Sequence, residues 1–145
     1  MTEDKKMIPL GVDFDGTCVD HRFPEIGADV PNAVEVMKDL IDKGFGIVLF
    51  TMRSGVYLDE AMAWFSKHKI PLMGVNRTPD QDRWTSSPKA YAKFYIDDAA
   101  IGAPLIDMDG FARPCVDWIK VLMIIEDRLA EETRELKIPR RDDAE

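Results

Sequence analysis

Five residues near the start of the chain, Asp13-Phe14-Asp15-Gly16-Thr17, carry two acids spaced i, i+2 and a glycine that lets the backbone turn. They follow the apolar run 8–12, so the acids stand where a strand would end. Paired carboxylates suit two tasks. They hold a hard divalent cation through oxygen ligands. They also divide into a nucleophile and a general acid/base when their surroundings separate their proton affinities. Alone, the segment equally suits a polar strand-to-helix turn.

Other chemistry-bearing residues recur at strand ends. Thr51 closes the apolar run 45–50, where its hydroxyl can donate to a phosphoryl oxygen. Asp97 and Asp98 close the run 94–96 and add metal-seeking carboxylate. Lys89 can neutralise charge on a transferring group. Lys93 competes for that role. Lys89 is preferred because Ser87-Pro88-Lys89 opens a segment before the strand, whereas Lys93 lies almost within it.

The elements that must position these residues follow from periodicity. Ala33, Val36, Met37, Leu40 and Ile41 fall on one helical face, with Pro31 in the first turn and Gly44 at the stop. Leu58, Ala61, Met62 and Phe65 mark a second helix, which Pro71 closes. Residues 72–75 read as a short strand, 76–88 as a polar loop and 104–106 as a last short strand. A long helix is expected from 116 to about 136, then a charged tail, within 137–145. Strands alternating with helices imply parallel βαβ units. The expected fold is therefore α/β, a three-layer α/β/α doubly wound, mostly parallel, Rossmann-like sheet. It forms a single domain over 1–145, with its core at about 7–136. Ligands of such sheets bind beyond the carboxyl ends of the strands, where Asp13, Thr51 and Asp97 all fall.

Composition narrows the function. The chain has 145 residues and a formal net charge of −8, which disfavours general nucleic-acid binding. A small phosphorylated partner stays compatible, because a bound cation inverts the local charge. Cys18 and Cys115 form no CxxC pair, so a reducing, cytoplasmic setting is expected, although one bridge between them stays open. The first seven residues carry no apolar leader, and no run reaches the ~18 apolar residues of a membrane span.

Together these residues resemble the haloacid dehalogenase superfamily of aspartyl-phosphate phosphatases. The matching motifs are Asp13-Phe14-Asp15-Gly16-Thr17, then Leu49-Phe50-Thr51-Met52-Arg53, then Lys89, then Tyr95-Ile96-Asp97-Asp98, roughly over residues 7–107. The resemblance implies that Asp13 attacks phosphorus and becomes an aspartyl-phosphate. It implies that Asp15 protonates the leaving group and then activates water. Thr51 and Lys89 would hold phosphoryl oxygens and the Asp13 carboxylate. Magnesium would be held by the Asp13 side chain, the Asp15 backbone carbonyl and the Asp97 side chain, with Asp98 behind them or acting through water. Gly16, Thr17, Met52, Arg53 and Asp98 complete the expected substrate-binding set.

Many relatives carry a cap domain. Here residues 18–30 and 76–88 are too short for one, so an open, capless site is expected, with 76–88 as a candidate partial lid. His21, Arg22 and Phe23, and Arg77, Arg83 and Trp84, are candidate specificity residues in those two loops. Asp107-Met108-Asp109-Gly110 imitates the first motif but lacks its threonine, and reads as a turn. The last helix is apolar nearly all round, which suits core packing or, with the loops, a homo-oligomer contact. The expected activity is magnesium-dependent hydrolysis of a phosphate monoester. Two other readings fit the scaffold: a receiver-like phosphoacceptor, whose acidic pair would come early rather than late, and a non-catalytic binding protein.

Overall fold

A computed structural model describes residues 6–137 of the chain. The expected tail beyond Lys137 lies outside the described residues. Four parallel strands form the main sheet: β1 (Ile8–Val12), β2 (Phe45–Leu49), β3 (Leu72–Val75) and β4 (Phe94–Ile96), in the order β3-β2-β1-β4. Helix α1 (Ala33–Asp42) joins β1 to β2, and α2 (Gly55–Lys67) joins β2 to β3. The chain thus steps outward from β1 twice and then returns to β4 on the other flank of β1. Strand order reverses between β1 and β4, the place where open α/β sheets form their ligand crevice. The α/β, Rossmann-like architecture without a cap is as expected.

Register explains which residues meet. Val12 pairs with Leu49 on one side and with Ile96 on the other. The residues just past those pairs, Asp13 and Asp97, therefore leave the sheet side by side. The Asp13 N–H still donates to Ile96 O at 2.9 Å, and Phe50 N–H to Val12 O at 2.8 Å, so the ladder extends to the edge of the site.

One sheet face carries the core. Leu10, Val12, Ile47, Leu49 and Ile96 join one cluster with buried residues of α1, α2 and the C-terminal helix α3 (Trp118–Lys137). Phe14, fully buried, continues that face past β1 and meets Trp64 edge-on at 5.7 Å and Phe65 at 6.0 Å. Burying a side chain of this size contributes roughly 1.5–3 kcal/mol. This packing fixes the turn on which Asp13 and Asp15 are built.

The opposite face is thinner. It holds Gly11 and Gly46, because a Cβ there would come within 2.9 Å of the Tyr95 ring or 2.6 Å of the Met73 sulfur. The 76–93 segment covers this face. The Tyr95 hydroxyl donates to Ala90 O at 2.6 Å and accepts from Ala92 N–H at 3.2 Å. Buried Gln81 staples the same segment, accepting from the N–H groups of Thr78 and Tyr91 and donating to Lys89 O. Apart from a single 3-10 turn, Gln81–Arg83, residues 76–88 are the polar loop expected.

The C-terminal third differs from expectation. The strand expected at 104–106 exists as β5 (Leu105–Ile106), but it pairs antiparallel with β6 (Cys115–Val116), outside the main sheet. The helix expected from 116 starts at Trp118. Cys115 and Val116 are buried strand residues, and Asp117 accepts from Lys120 N–H at 3.2 Å in an N-cap pattern. The turn expected at Asp109-Gly110 links β5 to β6, with Gly110 at φ 81°. Ile119, Met123 and Ile124 leave an apolar side of α3 exposed. Among the described residues, no helix is long and apolar enough to cross a membrane. Both cysteines are free, buried thiols, so the bridge left open does not form.

The C-terminal helix locks onto the first acidic loop through one buried bond, Trp118 Nε1–H to Thr17 O at 2.7 Å. Trp118→Phe keeps most of the packing but strands that carbonyl. It is expected to cost about 1–3 kcal/mol of stability, read as a lower urea midpoint. An unchanged midpoint would remove the bond from the account.

Candidate active site

Past β1 the backbone wraps tightly on itself. Phe14 O accepts from the N–H groups of Thr17, Cys18 and Val19, and Gly16 N–H donates to Val19 O at 2.7 Å. The Gly16 amide is therefore already used. The Phe14 and Asp15 amides meet no carbonyl among the described residues, and Asp15, which lines the cavity described below, can present its amide to an anion. Gly16 has φ 87°, and a Cβ on it would come within 2.2 Å of an Asp98 carboxylate oxygen. Only glycine lets the first acidic loop approach Asp98 this closely.

Thr17 fastens the two loops. Its buried hydroxyl donates to Asp13 Oδ2 at 3.1 Å and accepts from Asp98 N–H at 3.2 Å. It was expected to touch substrate, but a side chain with no exposure holds the acids in place instead.

Asp13, Asp97 and Asp98 each present a carboxylate oxygen within 4.8 Å of the others. Burial pushes Asp13 up to about 8, with the Asp97 and Asp98 carboxylates adding to the rise and the Thr17 bond acting against it. Burial pushes Asp98 up too, and the Asp97 charge adds, against the pull of its bond with Asp13. Crowded, half-buried acids of this kind hold a proton that a divalent cation would displace. All-oxygen donors suit magnesium. Asp98, expected behind the metal or acting through water, brings its carboxylate within 4.8 Å of the other two.

Asp15 faces a different partner. Arg53 Nε donates to its Oδ2 at 2.7 Å and Nη2 to its Oδ1 at 2.8 Å. The remaining guanidinium hydrogens go to the carbonyls of Pro24, Glu25 and Tyr57. All five N–H donors are thereby used. The group also lies over the Phe14 and Phe23 rings at 5.2 and 5.1 Å. Arg53 was expected to reach the substrate phosphate. It is instead a buried brace that orients Asp15 and ties residues 24 and 25 to α2.

Thr51 stands at the end of β2 as expected. Its N–H donates to Asn76 Oδ1 at 2.8 Å, and its hydroxyl oxygen accepts from Arg53 N–H at 3.1 Å. The hydroxyl hydrogen is left to donate elsewhere. Asn76, just past β3, is a positioning residue that sequence reading passed over as loop.

Asp13, Asp15, Thr51, Arg53, Asp97 and Asp98 line a cavity of about 350 Å³ with His21, Phe23, Met52, Ala99 and Arg113. Met52 is almost fully exposed at its rim. A groove of about 410 Å³ along β4 is larger but mostly apolar and shares only Asp97 with the acids. Neither lysine lines the smaller cavity. The Lys89 ammonium lies over the Tyr95 ring at 5.2 Å, and Lys93 pairs with Glu132 at 3.0 Å, where the strands begin rather than end. Of the loop candidates, His21 and Phe23 line the cavity. Arg22, Arg77, Arg83 and Trp84 do not, so residues 76–88 back the sheet rather than roof the site.

The raised Asp13 carboxyl has a consequence for stability. Its unfolded value is 3.8 and its folded value about 8, so between them the folded state binds more protons. Metal-free stability must then fall as pH rises through that window. Asp13→Asn removes the effect. In chelator-treated protein it is expected to be more stable than wild type at pH 8, by about 1–3 kcal/mol, with the gap closing towards pH 4. Urea titrations across pH would contradict this if the gap were absent or constant.

No family model matches the chain. Among solved structures it is similar to that of a conserved protein coded by a locus of Bacteroides thetaiotaomicron. The two share 31% identity over 84% of this chain and 92% of that one, with a TM-score of 0.70. Identity at that level over nearly the whole of both chains extends the likeness beyond fold, and the chain belongs to one family with that conserved protein.

Proposed function

We propose that the chain is a magnesium-dependent phosphatase that hydrolyses a phosphate monoester through an aspartyl-phosphate on Asp13. The observation that carries this reading is the Asp13, Asp97 and Asp98 cluster at the strand-order reversal, opening onto a cavity. The resemblance of the Asp13–Thr17, Thr51 and Asp97-Asp98 motifs to haloacid dehalogenase phosphatases supports it. The proposed substrate is a small phosphorylated molecule, since the acidic chain disfavours a nucleic-acid backbone. Two free buried thiols favour the cytoplasm as its setting.

Phosphate monoesters resist hydrolysis so strongly that acceleration up to ~10²¹-fold can be required. Dividing the reaction into two displacements lowers each barrier. Asp13 attacks phosphorus; its new O–P bond forms as the bond to the leaving oxygen breaks. Asp15 gives that oxygen a proton. Asp15 then takes a proton from water, the water oxygen bonds to phosphorus, and the Asp13–phosphorus bond breaks. Both Asp15 oxygens accept from Arg53, and each keeps a further lone pair on which Asp15 can carry a proton. Thr51 donates its hydroxyl hydrogen to a phosphoryl oxygen, and the Asp15 amide orients another. Asp13, Asp97 and Asp98, with the Asp15 carbonyl, would hold magnesium, which supplies charge neutralisation between carboxylate and phosphate.

Purified protein assayed with p-nitrophenyl phosphate and a panel of metabolite phosphates tests this directly. Turnover should require magnesium and should fall at least ~10³-fold in Asp13→Asn. Stable phosphoprotein without turnover would instead indicate a receiver-like phosphoacceptor. No phosphorylation and no turnover would leave a binding protein. Equal turnover in the variant would remove Asp13 as nucleophile.

A further inference from the structure

The cavity contains four carboxylates, from Asp13, Asp15, Asp97 and Asp98, and two guanidinium groups, from Arg53 and Arg113. Arg53 spends every N–H on Asp15 and backbone carbonyls. The two candidate lysines point to Tyr95 and Glu132. Three clustered carboxylates and a phosphate dianion outweigh one divalent cation, so a monoester needs a further positive group in this cavity. From the residues lining it, we infer that Arg113 is the cation that grips the substrate phosphoryl group, in the role the sequence assigned to Lys89. This deepens the phosphatase reading and rests on it.

Three observations support the assignment. Arg113 is exposed on the cavity wall, and its side chain has no hydrogen bond or ion pair among the described residues. It is a free fork of donors, matched to two oxygens of one phosphoryl group. Its backbone is also held firmly by the acidic loop itself. On one side, Ala112 N–H donates to both carboxylate oxygens of Asp20, at 3.0 and 2.9 Å. On the other, Val116 N–H donates to Gly16 O at 3.2 Å. Arg22 doubles the first anchor, donating to Asp20 at 2.8 Å and to Gly110 O at 2.8 Å. Burial alone would raise Asp20, but the Ala112 N–H and Arg22 bonds outweigh it and hold the carboxyl below its ordinary value. The loop that carries Asp13 thus carries Arg113 with it, across roughly 100 residues of sequence.

Two measurements on the full chain separate this inference from the reading beneath it. Hydrolysis of p-nitrophenyl phosphate decides whether the protein is a phosphatase. Calorimetric binding of inorganic phosphate, with magnesium present, decides the role of Arg113. Arg113→Ala should weaken phosphate binding, and raise KM where there is turnover, by ~10-fold or more, as loss of a charged hydrogen-bond pair does. Arg113→Lys should recover part of the loss, because an ammonium keeps the charge but not the fork. Lys89→Ala should stay within about twofold, and the thermal midpoint of Arg113→Ala should match wild type. Phosphate affinity unchanged in Arg113→Ala, lost instead in Lys89→Ala, or absent from wild type would each overturn the assignment, whatever the hydrolysis assay gives.

Discussion

Three carboxylates crowd within 4.8 Å of one another where β1 and β4 end side by side, and partial burial denies them the screening that water would give. Like charges at that range are held together only by what surrounds them. The Thr17 hydroxyl bridges Asp13 and the Asp98 amide. Gly16 lets the loops approach, and Trp118 anchors the carbonyl of Thr17. Phe14, packed against Trp64 and Phe65, supplies the apolar weight beneath the turn. The free energy of the core is used here to keep a repulsive cluster in place, the arrangement on which the proposed cation binding rests.

Two further devices arrange the cavity around that cluster. Arg53 takes Asp15 out of the crowd by pairing with both of its oxygens, so neighbouring acids on one short loop have different surroundings. The β5–β6 hairpin brings a guanidinium from the far end of the chain to the cavity wall. Asp20 and Gly16, on the acidic loop, hold that hairpin down. Asp13, Asp15 and Arg113 are therefore positioned by one loop, with the rest of the fold packed against it.

Much of this was legible in the chain because parallel strands of similar length bring their ends to one line. Asp13, Thr51 and Asp97 each follow an apolar run, and register alone makes them neighbours. The roles that were missed depend on contacts distant in sequence. Arg53 is a brace because the carbonyls of residues 24, 25 and 57 converge on it, which no spacing announces. Thr17 is fully buried by Trp118, Asp98 and the loop around it. Lys89 is diverted to Tyr95 because the 76–93 segment lies on the second sheet face, stapled by Gln81. Arg113 lies between two-residue strands too short to show a period. The helix start at Trp118 was readable in principle, since Asp is a preferred N-cap residue and Asp117 stands just before the helical period, but the apolar pair before it blurred the boundary.

The proposed reaction turns on a covalent bond from Asp13 to phosphorus. Rapid acid quench during turnover of a phosphate monoester, followed by peptide mass spectrometry, looks for that bond itself. A phosphoryl adduct on the Asp13 carboxylate, formed only with magnesium and discharged as substrate runs out, is the predicted result. An adduct on another side chain such as His21, or steady turnover with none on Asp13, would contradict it.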